Sequence, residues 1–479
     1  MSKAFAVDRL FARHGPAYRW YATVTVMLGT LSVVLASTII NVAVPAIMAR
    51  FAVAQDQAQW LVTAFLAAMT VGMLLNAWAI ARLGSRRAFT LAMSVFIAAS
   101  LVGGLSRHFP VLVAARAVQG LTAGMIQPHA LIVIFQVFPV ARRGQAMGIY
   151  GMGVILGPAV SPALGGVLVD AISWRATFFV VLPACVLALG MARRFLPAHG
   201  GTARSRLDWP GVVLLAAGMV ATLWMLAALQ RRGPGDALVL AGMVGGPLLL
   251  VAFVLRQRRA AEPLFDLALF RAPGFGAGFA LSIVMGAGLF ATTYLTPLYF
   301  QQAAHMSPTA AGFMLLPAGI AMALVFPLAG HLSDGRASIA VIAMGLGLFI
   351  GATVLLVASS GTTAAVWLIA WAALARVGIG AMMPPVTTAS LRLLEGAAMD
   401  RGSGIINFGR QFGGALGVNL CAVLAQYVND AHLHAGTAVS RAAAHEAGFD
   451  AAFWALAGLF ALAFWPLAHM RRSRRRDAG

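Results

Sequence analysis

The sequence predicts an all-α polytopic membrane protein, and three observations carry that prediction. Of 479 residues, 61% are hydrophobic and only 10% are charged, with a mean hydropathy of +0.86; no soluble core of that size hides so much apolar surface. Apolar runs of about 20 residues recur between short polar joints, the pattern of helical spans and not of alternating barrel strands. The basic residues are sorted by side: 25 of the 34 fall on one side, six (Arg50, Arg107, Arg175, Arg231, Arg232, Arg441) lie opposite, and three (Arg116, Arg376, Arg410) fall inside spans. That asymmetry predicts two cytoplasmic termini and requires an even number of spans.

Fourteen spans are expected, centred near Val34, Ala68, Phe96, Gly120, Gly157, Leu182, Met219, Gly245, Met285, Leu316, Leu346, Ala373, Gly414 and Leu459. A formal charge of +20 in a soluble protein would raise nucleic acid as a partner; here its sorting, with the Arg-rich tail RRSRRR, reads as a topology and lipid anchor, with the bilayer as partner. Met1 to Arg19 is basic and mixed and shows no cleavable signal, so the first span is expected to act as its own. Cys185 and Cys421 lie mid-span and suggest neither disulfide nor metal.

Taken in order, the first span carries Thr38, Asn41 and Pro45, and the Asn41 amide fits two roles, interhelical glue and cavity lining. After the second span, AIARLGSRRAF makes a tight elbow at Gly84. The fourth places Arg116 and Gln119 about one turn apart with His129 deeper; a charged residue in a span is a functional candidate by default. The fifth holds Gly153, Gly157, Ser161 and Gly165 at four-residue spacing, a bare ridge against which another helix can lie at backbone distance. Pro158 and Pro162 in the same stretch each remove a helical donor and bend the chain, which suggests a mechanical joint. In the twelfth span Met382 and Met383 precede Pro384 and Pro385, a bent segment with either an adaptable lining or ordinary packing. The thirteenth carries Asn407, Phe408, Arg410 and Gln411. His432, His434 and His445 in the last inter-span stretch fit a solvated loop better than a metal site.

The chain repeats itself. Arg116 aligns with Arg376 and Gly120 with Gly380 at an offset of 260, and Gly151 with Gly409 at an offset of 258. GHLSDGR, ending at Arg336, stands where a second elbow belongs. We expect two parallel six-helix halves, residues 1–200 and 261–479, around a midplane cavity, with two inserted spans in 201–260.

GPAVSPALGG from Gly157 to Gly166, ARAVQG at Ala115, SWRATFFVVLP at Ser173, PLFDLALF at Pro263, and YLTPLYFQQ with SPTAAGFMLLP between Tyr294 and Pro317 together resemble the fourteen-span drug:proton antiporters of the major facilitator superfamily, the EmrB/QacA type. The resemblance implies the major facilitator fold in a bacterial inner membrane. It also implies alternating access, in which inward proton flow drives a hydrophobic or cationic drug, or a related amphiphile such as a fatty acid, outward. No cofactor beyond the coupling proton is implied. In a two-membrane bacterium a periplasmic adaptor protein and an outer-membrane channel are implied partners. Gly153, Gly157, Pro158, Ser161, Pro162, Gly165 and Gly166 fall on that branch's antiporter motif.

Two departures bear on coupling. Ala36 stands where the family's first span commonly has Asp, and Ala81 where the elbow often has an acidic residue. None of the 14 acidic residues lies deep in a span. His129 is then the best-placed group to take the proton, with Arg116 setting its field; a histidine satisfied by its neighbours is the competing reading, and Asp334 or Asp170 in a wet vestibule the fallback. Asn41, Gln119, Asn407, Phe408 and Gln411 are expected to contact a small-molecule substrate. No phosphate-cradling loop and no clustered intramembrane nucleophile or metal set is present, so neither ATP-driven transport nor an enzyme is expected. A more specific exporter or flippase for a metabolite, lipid or fatty acid, and a non-proton-coupled transporter or a sensor on the same fold, are the alternatives.

Overall fold

The computed structural model describes residues 3–138, 150, 157–158, 160–197, 207–233, 235–260, 263–302, 306–332, 338–359, 363–392, 394, 396–434 and 441–476. Among them there is no strand, and 13 helices are long and apolar enough to cross a membrane. We number the membrane helices α1 Tyr18–Phe51, α2 Trp60–Leu83, α3 Ser85–Leu105, α4 Phe109–Val137, α5 Val160–Ala171, α6 Leu182–Phe195 and α7 Trp209–Arg232. The remainder are α8 Ala237–Gln257, α9 Phe275–Gln302, α10 Pro308–Leu332, α11 Ser338–Val357, α12 Ala365–Leu391, α13 Gly396–His434 and α14 Arg441–Leu462. Of the expected fifth span the structure describes Gly157, Pro158 and α5; its earlier part, Gly153 included, lies outside the described residues. Asp334 and Arg336 lie outside them as well.

Joint chemistry sets the helix ends. Gly84 joins α2 to α3 at φ 80°, a conformation that a side chain strains. Asp208 caps α7 through the Gly211 N–H, and Asp236 caps α8 through the N–H groups of Leu238 and Val239. Prolines sit inside α1 (Pro45), α4 (Pro128), α9 (Pro297), α10 (Pro317, Pro327) and α12 (Pro384, Pro385), where each removes one backbone donor.

The repeat read from the sequence recurs in the packing. Gly120 of α4 lies where a Cβ would collide with the Phe65 carbonyl of α2, and Gly380 of α12 lies 3.2 Å, measured from the same ideal Cβ, from the Met322 carbonyl of α10. Both glycines let a fourth helix close on a second one. α1 to α4 and α6 pack largely on one another, α9 to α14 do likewise, and α7 pairs with α8.

α7 also touches α2 and α13, with Trp78 and Trp209 at 6.3 Å between ring centroids, so the inserted pair fills a seam between the two groups. The segment after α8 is held inward. Phe265 and Leu269 are buried; the Phe265 ring meets Phe253, Phe270, Phe279 and Phe408, and Asp266 pairs with Arg401 at 3.1 Å.

Candidate functional site

The ridge on α5 has two neighbours. Ideal Cβ atoms on Gly157 and Gly165 would meet Leu31, Val34 and Ile39 of α1, and the Ser161 hydroxyl bonds that of Thr38 at 2.7 Å. On another face, Gly166 abuts the Pro308 carbonyl at the start of α10, and Gly312 abuts the Pro162 carbonyl. Pro158 is half-buried beside Gly157. The motif therefore packs against a helix of its own group and against α10 of the other.

The remaining bridges between the groups lie toward the same end. The Asp170 carboxylate accepts the Thr309 N–H at 2.8 Å, Gln301 Nε2 donates to the Val42 carbonyl at 3.3 Å, and Asn419 Nδ2 donates to Thr63 Oγ1 at 2.6 Å. Nearer the middle, Gln411 Nε2 reaches Met69 Sδ at 3.4 Å. Helix direction puts Phe51, Trp60, Ala171, Gln302, Pro308 and His434 at one side of the bundle, the side where these bridges concentrate.

Arg116 is 1% exposed. Its Nε donates to the Leu61 carbonyl at 2.9 Å, and Nη1 donates to the Ala36 carbonyl at 3.0 Å and to Gln119 Oε1 at 2.9 Å. The guanidinium stacks 4.2 Å over the Phe65 ring, and Nη2 has no partner. Gln119 passes the network to α3 through Ser100 at 2.8 Å. Gln119 thus spends its amide on Arg116 and Ser100, and the pair ties α1, α2, α3 and α4 together by carbonyl dipoles and a ring face.

His129 lies 13 positions further along α4, about 20 Å at the helical rise, so the expectation that Arg116 sets its field fails on distance. Its own partners are close: Nε2 meets Ser85 Oγ at 2.8 Å, Nδ1 meets Asn76 Oδ1 at 3.4 Å, and the Phe89 ring packs edge-on at 5.5 Å. Ser85 follows the Gly84 elbow, so this histidine fastens α2, α3 and α4 at that turn. Arg86 continues the fastening with 2.7 Å from Nε to the Leu196 carbonyl past α6.

In the second group Arg376 of α12 repeats the reach of Arg116: Nη2 donates to Thr293 Oγ1 at 2.6 Å and Nη1 makes a long 3.5 Å contact to the Leu289 carbonyl, both on α9. Arg410 Nη2 donates to Asn407 Oδ1 at 2.6 Å within α13. Phe408 points elsewhere, stacking on Phe412 at 5.9 Å and edge-on to Phe265 at 5.3 Å. Asn41 and Gln411 are each 3% exposed with a partnerless side-chain oxygen.

Sequence reasoning singled out His129, Arg116 and Gln119 but missed Ser85, Asn76, Ser100, Thr293, Thr63 and Asn419, which complete their networks or the bridge to α13. Of these Asn76 and Asn419 carried a usable signal, each a polar amide inside a span. Among the described residues no group of three or more His, Cys, Asp or Glu could hold a metal ion.

Outside the spans, burial raises the pKa of Asp208, but the N–H groups of Arg256 (2.6 Å), Gly211 (3.2 Å) and Gln257 (2.9 Å) outweigh it and leave the carboxyl below its usual range. That contact and the Gln257 bond to the Phe265 N–H at 3.1 Å tie α7, α8 and the following segment into one unit.

Known proteins share this fold. Across 96% of the chain and 97% of the other, the fold matches the crystal structure of a bacterial homologue of the human lysosomal transporter Spinster in an inward-facing, occupied conformation, at TM-score 0.64 and 15% identity. The peptide transporter POT in complex with sulfate matches at TM-score 0.67 and 16% identity, over 96% of each chain. Among relatives in sequence, the uncharacterized MFS-type transporter YcnB of Bacillus subtilis is 30% identical over 94% of this chain and 95% of its own. The multidrug resistance protein B homolog of Mycobacterium tuberculosis is 30% identical over 81% of this chain and 73% of its own. The puromycin resistance protein pur8 of Streptomyces alboniger is 32% identical over 87% and 83%. The profile of the Major Facilitator Superfamily matches residues 26–418, a stretch that takes in the arginine networks of α4 and α12 and the α5 ridge, and the chain belongs to that superfamily of transporters.

Proposed function

We propose that this multi-pass protein is a secondary active exporter of hydrophobic drugs and related amphiphiles, of the fourteen-span drug:proton antiporter type, working by alternating access. The observation that carries the reading is the one-sided set of bridges between the two helix groups: Asp170 to Thr309, Gln301 to Val42, Asn419 to Thr63, and the Gly166 and Gly312 contacts. Basic residues concentrate at the opposite side, so the bridged end faces outward, both termini lie in the cytoplasm of a bacterial inner membrane, and the described state opens inward. The halves 1–200 and 261–479 rock about the α5 ridge, which stays on α1 while its Gly166 face leaves α10. The drug-resistance names of the relatives support the substrate class. Passage across a second membrane takes a periplasmic adaptor and an outer-membrane channel.

Proton coupling is assigned to Asp170 in this reading. Its carboxylate caps the first turn of α10 from the other half, where negative charge is favoured. A proton arriving from outside removes that charge, loosens the outer closure and favours the outward-open state. His129, held by Ser85 and Asn76, is a structural fastener. A second reading, export driven by substrate charge without protons, is favoured by the lack of any mid-span carboxylate in the sequence. Purified protein in liposomes separates them: substrate flux with proton movement supports antiport, substrate flux without it supports the second reading, and no flux of any amphiphile rejects both.

A further inference from the structure

The three intramembrane arginines are not equivalent. Arg116 is sealed, and its one idle nitrogen is inaccessible. Arg376 and Arg410 are only partly buried at mid-span. Among the described residues Arg376 Nε, and Arg410 Nε and Nη1, bond no protein group, and unlike Arg116 Nη2 none of them is a fully buried unpartnered atom. Neither guanidinium has a carboxylate within ion-pair distance among the described residues.

Their direction follows from helix geometry. On α13, Gly409 and Gly413 face Phe279 and Ile283 of α9, while Gln411 and Asn419 face Met69 and Thr63 of α2. At 100° per residue Arg410 falls midway between Gly409 and Gly413 on one side and Gln411 on the other, with Asn407 beside it, and opposite the Phe408 and Phe412 face that meets Phe265; Asn419, two turns further on, lies on that Phe side. Arg410 therefore points into the space between α9 and α2, between the two helix groups. Arg376 comes from α12 to Leu289 and Thr293, one to two turns along α9 from Gly286, which packs on the Arg410 backbone. Two accessible guanidiniums thus flank α9 on the interior, and Arg116 adds a third positive charge behind the α1 and α2 backbones.

We propose that Arg376 and Arg410 form a head-group site for monoanionic amphiphiles, so that the exported compounds carry a sulfonate, carboxylate or phenolate on an apolar body. This rests on the exporter reading and names its substrate class. An interior with idle guanidinium donors at mid-span offers an anion charge-assisted hydrogen bonds, whereas the carboxylates that could serve a cation, buried Asp56 and half-buried Asp450, lie in the outer parts of their spans. It also joins to energetics: an anion leaving a cell that is negative inside moves down the electrical gradient, so its export draws on the membrane potential even with Ala36 in place of a carboxylate.

The test compares two probes of equal tail, decyl sulfonate and decyltrimethylammonium, in equilibrium binding to the purified full-length protein and in flux through proteoliposomes. The sulfonate is permanently charged and does not cross the bilayer as a neutral acid. Expected is tighter binding of the sulfonate by about tenfold or more, a loss of about tenfold in Arg376→Gln and in Arg410→Gln, and partial retention in Arg376→Lys and Arg410→Lys. Ammonium binding as tight as sulfonate binding in the unaltered protein overturns the proposal whether or not the variants fold; so does absent sulfonate binding, or unchanged sulfonate binding in both glutamine variants. Selective sulfonate binding with no flux of either probe leaves the head-group site standing and removes the exporter reading. Ammonium flux without sulfonate binding does the reverse.

Discussion

The carboxylate of Asp170, at the end of α5, accepts the backbone N–H of Thr309 in the first turn of α10 at 2.8 Å, so a charged group of one helix bundle caps a helix of the other. This contact exists only while the two bundles meet at that end. Asp170→Asn keeps the shape and removes the charge. The expected loss is about 1 kcal/mol, about fivefold in the ratio of closed to open outer ends. Spin-label distances between α5 and α10 check it: the variant's distribution shifts toward longer separations, and an unchanged distribution counts against the latch.

Gly166 and Gly312 test the same closure by size. A Cβ at either meets a backbone carbonyl of the opposite bundle, Pro308 or Pro162, which cannot swing aside as a side chain would. Gly166→Val and Gly312→Val are expected to give folded protein that cannot close outward and does not transport. Gly165→Val presses instead on the Ile39 carbonyl of α1 within one bundle, and is expected to lower thermal stability by about 1–3 kcal/mol. Melting curves and outer-end cysteine accessibility separate the two effects.

How much of this was legible beforehand depends on which force wrote it. The spans follow from hydropathy, which needs no partner, and Arg116 stood out because a charge in hydrocarbon is costly wherever it lies. Which face of a span meets which neighbour was not legible. Helices apolar all round carry almost no moment to orient them, and the partners of His129 come from Asn76, 53 positions away, and Ser85, 44 away. The repeat offsets partly filled that gap: Gly120 and Gly380, paired by spacing alone, do pack a fourth helix on a second one. Phe408 shows the limit, since an aromatic in a polar stretch suggested a cavity wall and its ring contacts are Phe265 and Phe412.

His129→Asn is expected to leave coupling intact. The imidazole is fully enclosed and bonded on both nitrogens, and truncation strands Ser85 and weakens the elbow by about 1–3 kcal/mol. A lower melting temperature with an unchanged response of transport to an imposed pH gradient is the predicted result. Loss of that response in folded protein would move the proton from Asp170 to His129.

Arg116→Lys is expected to fold poorly. A single ammonium cannot serve the Leu61 carbonyl, the Ala36 carbonyl and Gln119 in the planar fork that the guanidinium supplies. Each buried acceptor left bare costs about 1–3 kcal/mol. Ala36→Asp is the informative counterpart, because it puts a carboxylate on the residue whose carbonyl Arg116 Nη1 already bonds. Transport in Ala36→Asp should show a steeper dependence on internal pH than the unaltered protein does, read as rate against pH at fixed potential.

Asp208 gives a pH signature away from the transport path. Its carboxyl sits below the ordinary range in the folded state, so the stabilisation it gives to the α7 and α8 unit is complete above about pH 4 and lost as pH falls through the lower folded value. Arg256 is 41% exposed at its side chain, which limits the contribution to about 1 kcal/mol or less. Asp208→Asn should lower the melting temperature at neutral pH, and the difference should vanish under strong acid.

The most direct test of the central claim is proton release triggered by substrate, measured with purified protein in liposomes under an imposed pH gradient, for the unaltered chain and Asp170→Asn. The account predicts proton movement that requires an amphiphilic substrate and falls sharply in the variant while binding persists. Substrate flux with no accompanying proton movement would contradict antiport and leave an exporter driven by the charge of its own cargo.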